Sequence, residues 1–250
     1  MSWYKKSSVW SVVIASIAVV LSQLPPVYSW IPNPEIDVNH ADRIGVNNAI
    51  GLIGHNLNVE IKNIGNTDVQ LSKMELVIVD PDGRSKVFPA ENYNKISTAN
   101  ANPIALPITS ISIPQNSVWS EMVFFNRAIS TEDEESFLRI RQDIAQSIFE
   151  KQQEEGEFYN IRSLIPADED VTEKAINFFT ENFDLEKGEY KMTLNIYLKD
   201  REAPFSIDSE FTIFKHHIDM LISQTEDYKY GGGITMQMNP AKQVWLKFKR

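Results

Sequence analysis

Four histidines and a run of clustered carboxylates are the residues of this 250-residue chain whose types could do chemistry, and there is no cysteine beside them. His40, His55 and the adjacent pair His216 and His217 could offer imidazole to zinc or copper, or carry a proton near neutral pH. Their spacing argues against a metal. A ligating helix places two histidines a turn apart, whereas adjacent residues on a strand face opposite ways. Surface positions, or the start of a helix, are the default for His216 and His217. Asp80-Pro81-Asp82-Gly83 could open a calcium loop with Glu91 at its twelfth position, but Val87, Phe88 and Pro89 do not fit the ligand spacing, and a tight turn explains the four residues. Gly231-Gly232-Gly233 lacks the Lys-Ser or Lys-Thr pair of a phosphate cradle and reads as a flexible loop. No Gly-x-Ser-x-Gly elbow is present. The expectation is a protein with no catalytic residues, no metal set and no cofactor, and not an enzyme.

The carboxylates stand out by their location. Net charge is −10, and the stretch from Glu132 to Lys187 holds sixteen Asp or Glu against six Lys or Arg, which accounts for all of it. Two clusters lead the stretch: Glu132, Asp133, Glu134 and Glu135, then Asp168, Glu169 and Asp170. Both fall where helices are expected to begin, so the macrodipole alone would stabilise them. The functional alternative is an acidic interaction face for a protein partner. Nucleic acid is excluded as a partner, because no basic stripe exists beyond Lys247, Lys249 and Arg250.

The elements that must position these groups are mostly strands. Leu57, Val59 and Ile61 alternate with polar residues, and Met74, Leu76 and Ile78 resume the two-residue period with Val77 and Val79 apolar as well, which marks a central strand. Lys86 to Phe88, Ile111 to Ile113 and Val118 to Phe125 read as further strands, with loop between Asn94 and Pro103. From Thr131 the period becomes helical, with Thr131 and Glu134 at capping-box spacing. A second helix is expected near Pro166. Tyr190 to Leu198 and Phe205 to Ile213 form a hairpin, His217 to Tyr228 a short helix, and Val244 to Phe248 either a last edge strand or a partner-binding peptide.

At the other end, the run from Ser7 to Leu24 contains no charge, follows Lys5 and Lys6, and stops at Pro25-Pro26. As a helix it approaches the thickness of a bilayer core, and the lysines place the N-terminus in the cytoplasm and the rest outside. Trp10, Tyr28 and Trp30 suit the two interfaces. The run is long for the apolar part of a signal peptide and lacks an Ala-x-Ala site, which favours a retained membrane anchor over cleavage after Ser29. A buried helix of a cytosolic domain is the third reading.

Leu57 to Asp80 with its Asn63-x-Gly65 break, Ile111-Ser112-Ile113-Pro114, and Gly188-Glu189-Tyr190 opening a strand together resemble bacterial immunoglobulin-like domains. The resemblance implies a corner role for Tyr190. The expected fold is mainly β: an immunoglobulin-like β-sandwich with an acidic α-helical insertion at 126–187, residues 31–250 forming the extracytoplasmic, periplasmic domain and residues 1–30 a cytoplasmic stub and transmembrane helix. The expected function is a membrane-anchored interaction module. The alternatives are an envelope hydrolase or carbohydrate-active enzyme with its site between insertion and sandwich, and a metal-binding envelope protein.

Overall fold

Alternating apolar residues give this chain its strands, and the computed structural model describes residues 7–23, 32–96, 103–154, 165–199, 201–235 and 241–249. After α1 (Ser7–Gln23) come β1 (Ile36–His40), β2 (Arg43–Ala49), β3 (Leu52–Asn63), β4 (Val69–Val79), β5 (Ser85–Ile96), β6 (Pro103–Pro107), β7 (Ile111–Ile113) and β8 (Val118–Asn126). Two helices follow, α2 (Thr131–Glu154) and α3 (Glu169–Asn182), then the hairpin β9 (Gly188–Leu198) and β10 (Phe205–Ile213). The chain closes with α4 (Lys215–Ile222), a 3-10 segment (Ser223–Tyr230) and β11 (Gln243–Lys247).

The strands form one sheet in the order β10-β9-β4-β5-β8-β3-β2-β11, with β1 on β3, β6 on β5 and β7 on β4. A bridge between Phe211 in β10 and Phe248 just beyond β11 brings the two ends together, so the sheet is nearly closed like a barrel. The two separate layers expected from the sequence are joined through β5. Its first half pairs with β4 and its second with β8, and a register shift between Ala90 and Asn92 lets the strand turn the corner. Leu57, Val59, Ile61, Leu76, Leu194, Ile196 and Phe211 are fully buried inside, each side chain contributing about 2 kcal/mol of apolar burial. The C-terminal tail is an edge strand, β11 lying antiparallel to β2.

Between β8 and β9 the helices build a second, smaller core. Ile140 and Ile144 of α2 meet Ala175, Phe178 and Phe179 of α3, with Tyr228 from the 3-10 segment. Ile50, at the turn between β2 and β3, reaches into this cluster fully buried. Its φ of 51° is costly for a β-branched residue. The helical insertion is therefore fastened to one end of the sheet.

Three local expectations change. Ser130, not Thr131, caps α2: its hydroxyl accepts the Asp133 N–H at 3.0 Å and donates to the Asp133 carboxylate at 2.9 Å. Strand β5 continues to Ile96, into the stretch expected to be loop. The glycine triplet is a packed turn: Gly231 and Gly232 are buried, and a Cβ on Gly232 would stand 2.6 Å from Asp227 Cβ.

Helix α1 has 17 residues, and no helix among the described residues is long and apolar enough to cross a membrane. Leu24, the expected last residue of the anchor, lies outside the described residues, as do Tyr28 and Trp30. Trp10, Val12, Ile14, Ile17 and Val19 of α1 are each more than half exposed.

Candidate functional site

The two acidic clusters do not converge. Asp133 sits at the capped start of α2, whereas Asp168, just before α3, bonds to Ser147 and Lys151 in the later part of α2. Fourteen residues of helix, roughly 21 Å, separate those points. Three of the seven carboxylates are ion-paired among the described residues: Glu135 with Arg139 at 2.7 Å, Asp168 with Lys151 at 2.7 Å, and Asp170 more loosely with Lys174 at 3.9 Å. The Lys151 and Ser147 hydrogen bonds hold the Asp168 carboxyl below its ordinary range. Glu132, Glu134 and Glu169 are exposed. The single acidic face expected from sequence is two separate helix starts.

The histidines are equally dispersed. His40 donates to the Ala41 carbonyl at 2.7 Å and accepts from Ser209 at 2.9 Å, while His55 is buried against Phe88. His217 accepts the Phe214 N–H in the first turn of α4, where burial and then the neighbouring His216 lower its pKa. Among the described residues no three His, Cys, Asp or Glu are grouped to hold a metal. Asp80 makes its tight turn, its carbonyl accepting from Gly83 N–H at 2.9 Å and its carboxylate from the Asp82 and Arg84 amides.

A different set of residues is brought together where the insertion leaves the sheet. α2 packs on α3, and its N-terminal half stands away from the strands. A groove of about 400 Å³ results, with Asn47, Leu52, Glu91 and Asn126 along the sheet and Glu134, Phe137 and Leu138 along α2. Arg127 and Ala128 form the connecting end. Asn126 donates to Glu91 at 2.8 Å, and Arg127 pairs with Asp184 at 3.2 Å, so its charge is answered outside the groove. Glu121, the carboxyl that burial pushes up against the pull of Lys95, lies on β8 outside this lining.

The groove runs onto the outer face of the sheet. Cross-strand register aligns Trp245, Gly45, Asn56, Phe124 and Asn92 in one row over β11, β2, β3, β8 and β5. A second row, towards α2, is Gln243, Asn47, Gly54 and Asn126. A third, on the far side, holds Asn58, Met122 and Asn94. A Cβ on Gly54 would come within 2.7 Å of the Asn126 amide oxygen and 2.9 Å of that of Asn47, so the two carboxamides converge over bare backbone. Trp245 lies across Gly45, its ring 3.3 Å from where a Cβ would be. It remains 47% exposed.

A larger concavity of about 620 Å³ follows the other side of α2, past Phe149 to Tyr230 and Thr235. Its ends at Gln152 and Thr235 adjoin residues 155–164 and 236–240, outside the described set. No protein-family model matches the chain, and no curated protein matches it in sequence.

The sequence alone does not single out the carboxamide face, because polar residues alternating with apolar ones are what any half-exposed strand shows. A signal was nonetheless there. Asn is depleted in strands, yet Asn56 and Asn58, and again Asn92 and Asn94, occupy successive outward positions.

Proposed function

We propose that this chain is a non-catalytic binding module, tethered to a membrane by its N-terminal segment, with residues 31–250 outside the cytoplasm and a ligand seated in the groove between α2 and the sheet. The composition of the groove carries this reading. Two carboxamides, the charged Glu91, Arg127 and Glu134, and half-exposed apolar side chains line it, a mixture that orients a ligand by hydrogen bonds and dehydrates it by contact. The tether is supported by the uncharged run from Ser7 and by the exposure of Ile14 and Ile17 on α1. An immunoglobulin-like ancestry is supported by the hydroxyl of Tyr190, which turns back to the backbone of Glu186.

A photo-crosslinking residue in place of exposed Ala128, in the full chain, tests both parts. In carbonate-washed membranes the full-length protein should carry an adduct that is missing when the probe replaces Ser72 on β4. A soluble product beginning near Trp30 would replace the tether by a cleaved signal, and equal labelling at both positions would remove the groove from the reading.

One observation favours the second reading, a hydrolase: Glu91 and Glu134 line the same groove from opposite sides. Hydrolysis of a ligand captured there, abolished by Glu91→Gln, would establish it.

A further inference from the structure

Where the chain returns from α3 to the barrel, a small cavity lies beside Asp184 and Leu185. Its volume is about 20 Å³, room for a single water molecule. Apolar side chains such as Ile78 and Phe88 form much of the wall. Four side chains in it can form hydrogen bonds: His55 from β3, Asp80 just beyond β4, Lys86 from β5 and Asp184 after α3. His55 is only 3% exposed, and its Nδ1 meets no hydrogen-bond partner among the described residues.

From this arrangement we infer a binding site for one water molecule, held between the His55 imidazole and the Lys86–Asp184 ion pair. An imidazole nitrogen withdrawn from solvent forfeits its hydration unless another group replaces it. A cavity with purely apolar walls stays dry, whereas one of this size with several polar groups retains a water that makes about three hydrogen bonds.

Charge sets the orientation of the water and excludes other occupants. The positive charge of Lys86 bears on His55 and opposes its protonation, and it repels a metal ion or an ammonium from the same space. Phosphate and carboxylate ligands are too large for the volume. The Lys86 ammonium donates one N–H to Asp184 at 2.6 Å and has two more. One of them meets the water oxygen, and the water donates in turn to His55 Nδ1 and to a wall carboxylate. Nδ1 is then an acceptor, so the proton of the neutral ring sits on Nε2.

The water completes a chain of contacts. Asp184 also accepts from Arg127 at 3.2 Å, and Arg127 lines the connecting end of the groove. His55, the water, Lys86, Asp184 and Arg127 thus run in order from the barrel interior to the groove. The site belongs to the barrel and stands whether or not the groove takes a ligand.

The test is a crystal structure of the full-length protein at neutral pH, at a resolution that shows ordered water, together with NMR of the histidine rings. Density about 2.7–3.2 Å from both His55 Nδ1 and Lys86 Nζ is expected, with the Nε2–H tautomer at His55. In solution, magnetic relaxation dispersion counts long-lived waters. His55→Phe puts an apolar ring in the same place and should lower that count by one, with an unaltered circular dichroism spectrum. Lys86→Met keeps the stem, removes the donor and should shorten the residence of this water about tenfold or more. No density at Nδ1, a protein group bonded there instead, or an unchanged count in His55→Phe overturns the inference. Contacts of about 2 Å would mark a metal and overturn the choice of water. The Nδ1–H tautomer overturns the orientation.

Discussion

The hydroxyl of Tyr190 donates to the Glu186 carbonyl at 2.8 Å and accepts the Glu186 N–H at 3.1 Å, so one side chain closes both hydrogen bonds of a single peptide residue. This happens where the chain returns from α3 to the barrel. The Tyr190 ring is stacked on Phe211 with centroids 5.4 Å apart, and burial pushes the phenol up to about 12, so it stays a neutral donor at any physiological pH. Tyr190→Phe keeps the stacking and loses both bonds. We expect a loss of about 1–2 kcal/mol in urea unfolding with an unchanged m-value, together with faster amide exchange at Glu186. An equal stability for both proteins would mean that water replaces the hydroxyl at no cost.

His55 makes the fold sensitive to acid. It is buried within the barrel, its ring 4.4 Å from Phe88, and among the described residues no hydrogen-bond partner meets Nδ1. Burial first, and the charge of Lys86 second, lower its pKa from 6.5 to about 3. Above 6.5 the imidazole is neutral folded or unfolded and stability does not depend on it. Below that value the unfolded chain binds a proton that the folded chain refuses, and stability falls by up to about 1.4 kcal/mol per pH unit until the folded value is reached. From neutrality to a pH of about 4.5 the loss from this group is roughly 2–3 kcal/mol. His55→Leu should remove that slope. Carboxylates common to both proteins cancel in the comparison, so parallel acid profiles would show that the imidazole is not kept neutral inside.

Where the pattern was regular, the sequence was easily read. β3, β4, β9 and β10 announce themselves by alternation, and α2 by helical spacing, because each buries one continuous apolar face. β2 escaped notice since its alternation of Ile44 and Val46 is broken by Asn48, whose buried amide donates to the Leu221 carbonyl and accepts the Gly51 N–H. A partner 173 residues away leaves no local trace. β6 is framed by Pro103 and Pro107, tolerated only because it is an edge strand. Barrel closure rests on the pairing of Phe211 with Phe248, and the groove on several separate elements. The acidic clusters stand out by composition, and each lies at a helix start.

Two glycines with similar backbones should respond differently to the same substitution. Gly83 has φ 83° and nothing within 4 Å of where a Cβ would stand, whereas Gly231 has φ 76° and a Cβ there would lie 2.6 Å from Thr235 Oγ1 and 3.4 Å from Ile148 Cδ1. Gly83→Ala bears the left-handed backbone cost alone, about 1 kcal/mol. Gly231→Ala adds displacement of the turn that carries Ile234 into the helical core, and a total of about 2–3 kcal/mol is expected. Thermal melts of the two variants give the comparison. Equal shifts would make the triplet the loose loop that its composition suggests.

The joint between the two helices depends on Ser147. It is buried, accepts the Asp168 N–H at 2.8 Å and donates to the Asp168 carboxylate at 2.9 Å, while Lys151 holds the other carboxylate oxygen at 2.7 Å. α3 has no side-chain cap of its own, so this contact fixes where it begins relative to α2. Ser147→Ala leaves the Asp168 N–H without its acceptor and should cost about 1–2 kcal/mol. The barrel has its own core, and the loss should be confined to the insertion: hydrogen exchange should quicken across α3 and not across β4 or β9. Lys151→Met, by contrast, removes a half-exposed ion pair and should cost less than about 1 kcal/mol. If Ser147→Ala instead lowered protection evenly in strands and helices, the insertion and the barrel would unfold as one unit, and the groove between them would be a rigid feature of the fold.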